Sequence, residues 1–104
     1  MERFAMCGKV MAKPGQRDRL AEHLLEAARL LAPLDTCELY IVNTVPAEPD
    51  ALWVMEIWRS EADHDASLKM DSVRALIAKA MPLIAAGGSS IRMTPLGGKG
   101  LPPV

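Results

Sequence analysis

A chain of 104 residues, 50% hydrophobic and 24% charged, has the length and balance of one soluble globular domain. A formal net charge of −1 with interspersed signs leaves no basic stripe, so neither nucleic acid nor an anionic membrane is expected as a partner. The apolar runs are too short to span a bilayer and the N-terminus lacks the hydrophobic region of a signal peptide, from which a cytoplasmic location is expected. Cys7, Cys37, His23 and His64 have no metal-ligand spacing, so no metal site is predicted.

Arg3 to Ala12 alternates as a first strand, with Phe4, Met6, Gly8, Val10 and Ala12 opposed to Ala5, Cys7, Lys9 and Met11, and Lys13-Pro14-Gly15 ends it. From Gln16 to about Ala32, Leu20, Leu24, Ala27, Ala28 and Leu31 recur at helical spacing, opposite Asp18, Glu22, Glu26 and Arg29; Pro33 closes this helix. His23 falls at the edge of the apolar stripe, a half-exposed surface position. Thr36 to Thr44 is a second strand, with Cys37, Leu39, Ile41 and Asn43 opposed to Glu38, Tyr40 and Val42. Val45 to Asp50, carrying Pro46 and Pro49, is the turn to a third strand, Ala51 to Trp58. Ser60-x-x-Asp63 has the form of a capping box and predicts a short helix through Met70, and Asp71 or Ser72 is expected to cap another. Val73, Leu76, Ile77, Ala80 and Ile84 are the buried stripe of that helix, Pro82 bends or ends it, and Gly87-Gly88 stops what remains. Ser90 to Leu96 is a fourth strand. Residues 1–96 thus form the domain, and 97–104 a flexible Gly/Pro tail.

The order strand, helix, strand, strand, split helix, strand predicts an α+β, ferredoxin-like split β-α-β fold with an antiparallel four-stranded sheet. Its helices cover one face only. The third strand is nevertheless apolar on both faces, Leu52, Val54 and Trp58 with Glu56 on one and Trp53, Met55 and Ile57 on the other. A second copy covering the Trp53 face would make a homodimer, a dimeric α/β barrel, with a cavity on the helix side near Trp58. An inverted register would exchange the roles of Trp53 and Trp58. The strand order also places Cys7 and Cys37 two strand spacings apart, roughly 9 to 10 Å, so both are expected to be free thiols.

Val10-Met-Ala-Lys-Pro-Gly15 before an amphipathic helix, Cys37-Glu-Leu-Tyr40, Trp53-Val-Met-Glu-Ile-Trp58-Arg-Ser-Glu61, Asp65-Ala-Ser-Leu68, Met81-Pro-Leu-Ile84 and the strand from Ile91 to Leu96 together resemble the antibiotic biosynthesis monooxygenase family, which includes quinol monooxygenase-like proteins. The resemblance covers nearly the whole chain. It implies a cavity between sheet and helices and, in some members, oxidation of a quinol or polyketide-like aromatic by dioxygen without flavin, haem or metal. A deprotonated aromatic can itself pass an electron to dioxygen, leaving the protein to bind, desolvate and ionise it. On this reading the partners are a small aromatic molecule and dioxygen, and no cofactor is required.

The resemblance points to His64, Trp58 and Glu56 as catalytic candidates and to Tyr40, Ser67 and Arg92 as substrate-binding ones. Ser67 and Ser72 stand where the family often has histidine. His64, one helical turn before Ser67, is offset by about 60° around the helix, reaching the cavity or pointing to solvent. Haem-degrading relatives use an Asn, Trp and His set of which this chain has only Trp58. Each candidate also has a plainer role: Trp58 as core, Glu56 as a structural carboxylate, Tyr40 as a packed ring, His64 as a solvated helix residue, Arg92 in an ion pair across a dimer. Two functions besides monooxygenation fit the same residues: proton transfer on a small carbonyl compound with Glu56 or His64 as base, and a binding dimer without catalysis.

Overall fold

The computed structural model describes residues 2–103. Strand β1 (Phe4–Ala12) leads to helix α1 (Arg17–Leu31), then to β2 (Cys37–Val45) and β3 (Glu48–Trp58). Helices α2 (Glu61–Ser67) and α3 (Asp71–Ala80), a 3-10 turn (Met81–Leu83) and β4 (Ile84–Met93) follow. The strands form one antiparallel sheet in the order β2-β3-β1-β4, the ferredoxin-like arrangement expected from the element order.

The register decides the faces. Phe4, Met6, Gly8 and Val10 pair with Trp58, Glu56, Val54 and Leu52, and Tyr40 and Val42 with Glu56 and Val54, so these positions share the helix side. Two clusters form there. Ala12, Leu20, Leu52, Ala80 and Leu83 make one, and Phe4, Leu31, Trp58 and Val73 the other. Leu20, Leu52 and Trp58 are fully buried, each contributing about 1.5–3 kcal/mol by leaving water.

Four local expectations are corrected. β4 begins at Ile84, because Gly87-Gly88 is not a stop but a bulge: the β1 pairing shifts between Lys9 and Met11. Gly87 has φ 105°, and a Cβ on Gly88 would come 2.7 Å from the Lys9 carbonyl oxygen, so both need glycine. The strand ends at Met93, short of Pro95. β3 begins earlier, at Glu48, and admits Pro49 because that residue lies beyond the end of the β1 ladder, where its missing N–H costs no bond. Ser60 does cap α2, accepting from the Asp63 N–H at 3.1 Å, but α2 ends at Ser67, and α3 starts after Met70 with no side-chain cap. Glu38 is an extra residue between Cys37↔Trp58 and Leu39↔Ile57, which turns Cys37 to the helix side with Tyr40, away from Leu39 and Ile41. Cys7 and Cys37 are both free.

On the open face, Arg3 and Glu38 form a buried ion pair at 2.6 Å, and Arg3 also donates to the Pro102 carbonyl, so the chain after β4 runs back over this end of the sheet. The guanidinium of Arg3, helped by the charge of Arg59, holds the Glu38 carboxyl below its ordinary pKa against the opposing effect of burial. A depressed carboxyl contributes stability above its unfolded pKa, about 4.3, that is lost as pH falls through the lower folded value. Glu38→Gln should therefore melt below wild type at pH 7, with the gap closing under acid; parallel melting curves down to pH 2.5 would contradict this. Among the described residues no helix is long and apolar enough to cross a membrane.

Candidate functional site

A cavity of about 430 Å³ opens on the helix side where the two core clusters part. Met6 forms its floor, Leu24, Ala27 and Leu31 of α1 one wall, and Val73, Leu76, Ile77 and Ala80 of α3 another. Five of the six predicted site residues, Tyr40, Glu56, His64, Ser67 and Arg92, line it. Trp58 does not. It is wholly buried behind Glu56, to which its indole Nε1 donates at 3.0 Å.

His64 is buried, with only 5% of its surface exposed. The Ser60 cap orients α2 so that the imidazole packs over Phe4 with ring centroids 5.0 Å apart and stands edge-on to Trp58 at 5.8 Å. The reading of His64 as a solvated helix residue is thus overturned: the 60° offset from Ser67 is taken up by the docking of this short helix. Nδ1 lies 3.0 Å from Asp65 Oδ1, and Nε2 lies 3.9 Å from Glu56 Oε1, the oxygen that Trp58 engages. With Nδ1 engaged by Asp65, Nε2 is the ring nitrogen left on the side of Glu56.

Ser67 is also buried, but its hydroxyl donates to the His64 carbonyl at 2.6 Å, tying it to its own helix. Arg92 is at the rim, its guanidinium 5.4 Å from the Phe4 ring and paired with Glu61, which fastens the start of α2 to β4. Tyr40 pairs with Glu56 across β2 and β3. Burial raises its phenol pKa well above the ordinary value, and the charges of Glu56 and Cys37 add to the shift. Near neutral pH Tyr40 is thus a neutral hydroxyl, a donor and not a base.

Tyr40 is the only tyrosine, so this state has a direct readout. Tyrosinate absorbance should be missing from the folded protein at pH 10–11 and develop with an ordinary pKa near 10 in denaturant. A phenol raised in the folded state contributes stability that is complete below the unfolded pKa and is lost above it, so melting should fall as pH rises past about 10. Ordinary titration of the folded protein would refute the buried setting.

His23 is half-buried at the edge of the α1 stripe, as its position predicts, and from there it also lines the cavity. The signal was its place at the stripe edge, next to Leu24. Among the described residues no three His, Cys, Asp or Glu side chains gather to hold a metal ion.

Residues 3–79 match the family profile described as Antibiotic biosynthesis monooxygenase. A solved protein from Chloroflexus aurantiacus J-10-fl, described as a candidate member, is 39% identical, with 92% of this chain and 95% of that one aligned at a TM-score of 0.83. A Caulobacter crescentus CB15 protein of the same description aligns over 92% of each chain at 14% identity and a TM-score of 0.85, and one from Nitrosomonas europaea over 90% of each at 8% and 0.84; these two share the fold. No curated protein matches. With a profile match over most of its length and a solved relative 39% identical across nearly the whole of both chains, the chain belongs to the antibiotic biosynthesis monooxygenase family.

Proposed function

We propose that this chain is a monooxygenase that oxidises a quinol or polyketide-like aromatic with dioxygen in the cavity beside His64, without flavin, haem or metal. The observation that carries the reading is a mainly apolar cavity into which an imidazole and a carboxylate converge, His64 Nε2 and Glu56 Oε1 being 3.9 Å apart. His64 takes the phenolic proton, Glu56 stabilises the resulting imidazolium, and Trp58 fixes Glu56 from behind as a positioning residue. The ionised ring passes electrons to dioxygen. For a simple hydroquinone, one oxygen atom forms a new C–O bond at a ring carbon and the other leaves as water with two hydrogens. The product is the hydroxyquinone, and all four electrons come from the substrate.

The working unit in this reading is a homodimer through the open sheet face. There Ile91 is 61% exposed, Met93 47%, Met55 45% and Ile41 45%, an apolar set drawn from β2, β3 and β4.

Oxygen uptake by protein freed of metals with chelator, assayed against hydroquinones of one, two and three fused rings, tests the activity. Uptake matched one to one by hydroxylated quinone is expected. The same His64–Glu56 pair would also serve proton transfer at a carbon beside a carbonyl; turnover of such a compound under strict anaerobiosis, with no oxygen uptake on any quinol, would replace the monooxygenase by an isomerase.

A further inference from the structure

Gly8 stands midway along β1, with β3 on one side and β4 on the other, where a residue without a side chain weakens the strand and packs against nothing. Neither usual backbone reason for glycine applies. Its φ is not positive, and a Cβ built on it would come no closer than 3.9 Å to the Ser89 carbonyl oxygen and to Ser90 Cβ, an ordinary contact. A side chain at this position would project to the helix side, in register with Val54 and Ser90. What lies there is space. A second, shallower cavity of about 460 Å³ has Gly8, Val10 and Val54 in its wall. Met6, Leu24, Tyr40, Glu56 and Ser90 border both this cavity and the one holding His64, so the two adjoin at Tyr40 and Glu56.

We propose that Gly8 sets how long a substrate the site accepts: the reacting ring lies beside His64 and Glu56, and the rest of the aromatic system passes Tyr40 and lies over the bare strand at Gly8. Any larger residue there fills the second compartment without touching the proton-accepting group, which makes residue 8 a determinant of size selectivity. The proposal rests on the reading of the cavity as an aromatic site, and not on the oxygen chemistry assigned to it.

The test compares wild type, G8A and G8V on hydroquinones of one, two and three fused rings, with circular dichroism and melting to establish folding. Valine suits a strand and a methyl group finds room, so both variants are expected to fold. The ratio of kcat/KM for three rings over one ring should fall at least about tenfold in G8V and less in G8A, the range that one or two misplaced carbons produce in a fitted pocket. An unchanged ratio in folded G8V overturns the proposal; if G8V does not fold, an unchanged ratio in G8A does so. If wild type consumes no oxygen, the same ratio is read from calorimetric Kd values for the corresponding quinones. A G8V-dependent loss of the three-ring ligand then upholds the role of Gly8 while the monooxygenase reading fails. Wild type that binds none of the panel overturns both.

Discussion

His64→Ala should lower kcat/KM for oxygen-dependent turnover by about 10²- to 10⁴-fold, the usual contribution of a positioned general base. The expectation is specific to the imidazole. The residue lines the cavity, its Nδ1 is engaged by Asp65 at 3.0 Å, and its Nε2 lies 3.9 Å from a carboxylate oxygen of Glu56. Replacement also removes ring contacts with Phe4 and Trp58, so melting must be followed beside activity. Two further variants separate chemistry from packing. Glu56→Gln keeps the shape and can still accept from Trp58, but withdraws the negative charge 3.9 Å from His64 Nε2; on the proposed mechanism it should lower kcat more than it raises KM. Trp58→Phe leaves the cavity wall intact and frees Glu56 from its donor, so its effect on kcat should be smaller than that of either other variant. A His64→Ala enzyme that is folded and retains wild-type oxygen uptake would remove His64 from the mechanism.

Ile91→Asp should convert the homodimer proposed for this family member into a species of about 11.3 kDa, its dissociation constant raised at least about 10³-fold. Ile91 lies on β4, on the face away from the helices, paired with Cys7. In a lone protomer it is 61% exposed, so an aspartate costs the monomer little; in a sheet-to-sheet interface the same carboxylate would lose its water with no cation assigned to it. Nearby Lys9 is already paired with Glu48 at 3.1 Å and lies 5.9 Å from the Trp53 ring. Sedimentation equilibrium at micromolar protein reads the outcome. Wild type that sediments as a monomer, or a variant as dimeric as wild type, would move the interface elsewhere. The chain after β4 bears on the same face, since Leu101 and Pro95 border a cavity with Met55 and Ile57 and the Pro102 carbonyl accepts from Arg3. A partner sheet would have to meet or shift that segment.

Periodicity was informative wherever one residue type had one physical consequence. The 3.6-residue recurrence of Leu20, Leu24 and Leu31 marked α1, and the apolar Leu52-to-Trp58 run marked β3. Glycine and glutamate were harder to read because their meaning depends on a neighbouring strand. Gly87-Gly88 has the composition of a helix stop, and only the ladder with β1 turns it into a bulge inside β4. Glu38 alternates cleanly along the sequence, and only pairing with β3 exposes it as an extra residue that reverses Cys37.

Hydrophobic period and chain order act locally, and they suffice to give the order of elements and a ferredoxin-like sheet covered on one face by helices; the five cavity-lining residues were legible only through the resemblance to the family. Tertiary structure decided which of those residues meet. A seven-residue helix has no orientation of its own, and packing over Phe4 and Trp58 is what carries His64 into the cavity, while α1, remote in sequence, brings His23 to the same cavity wall.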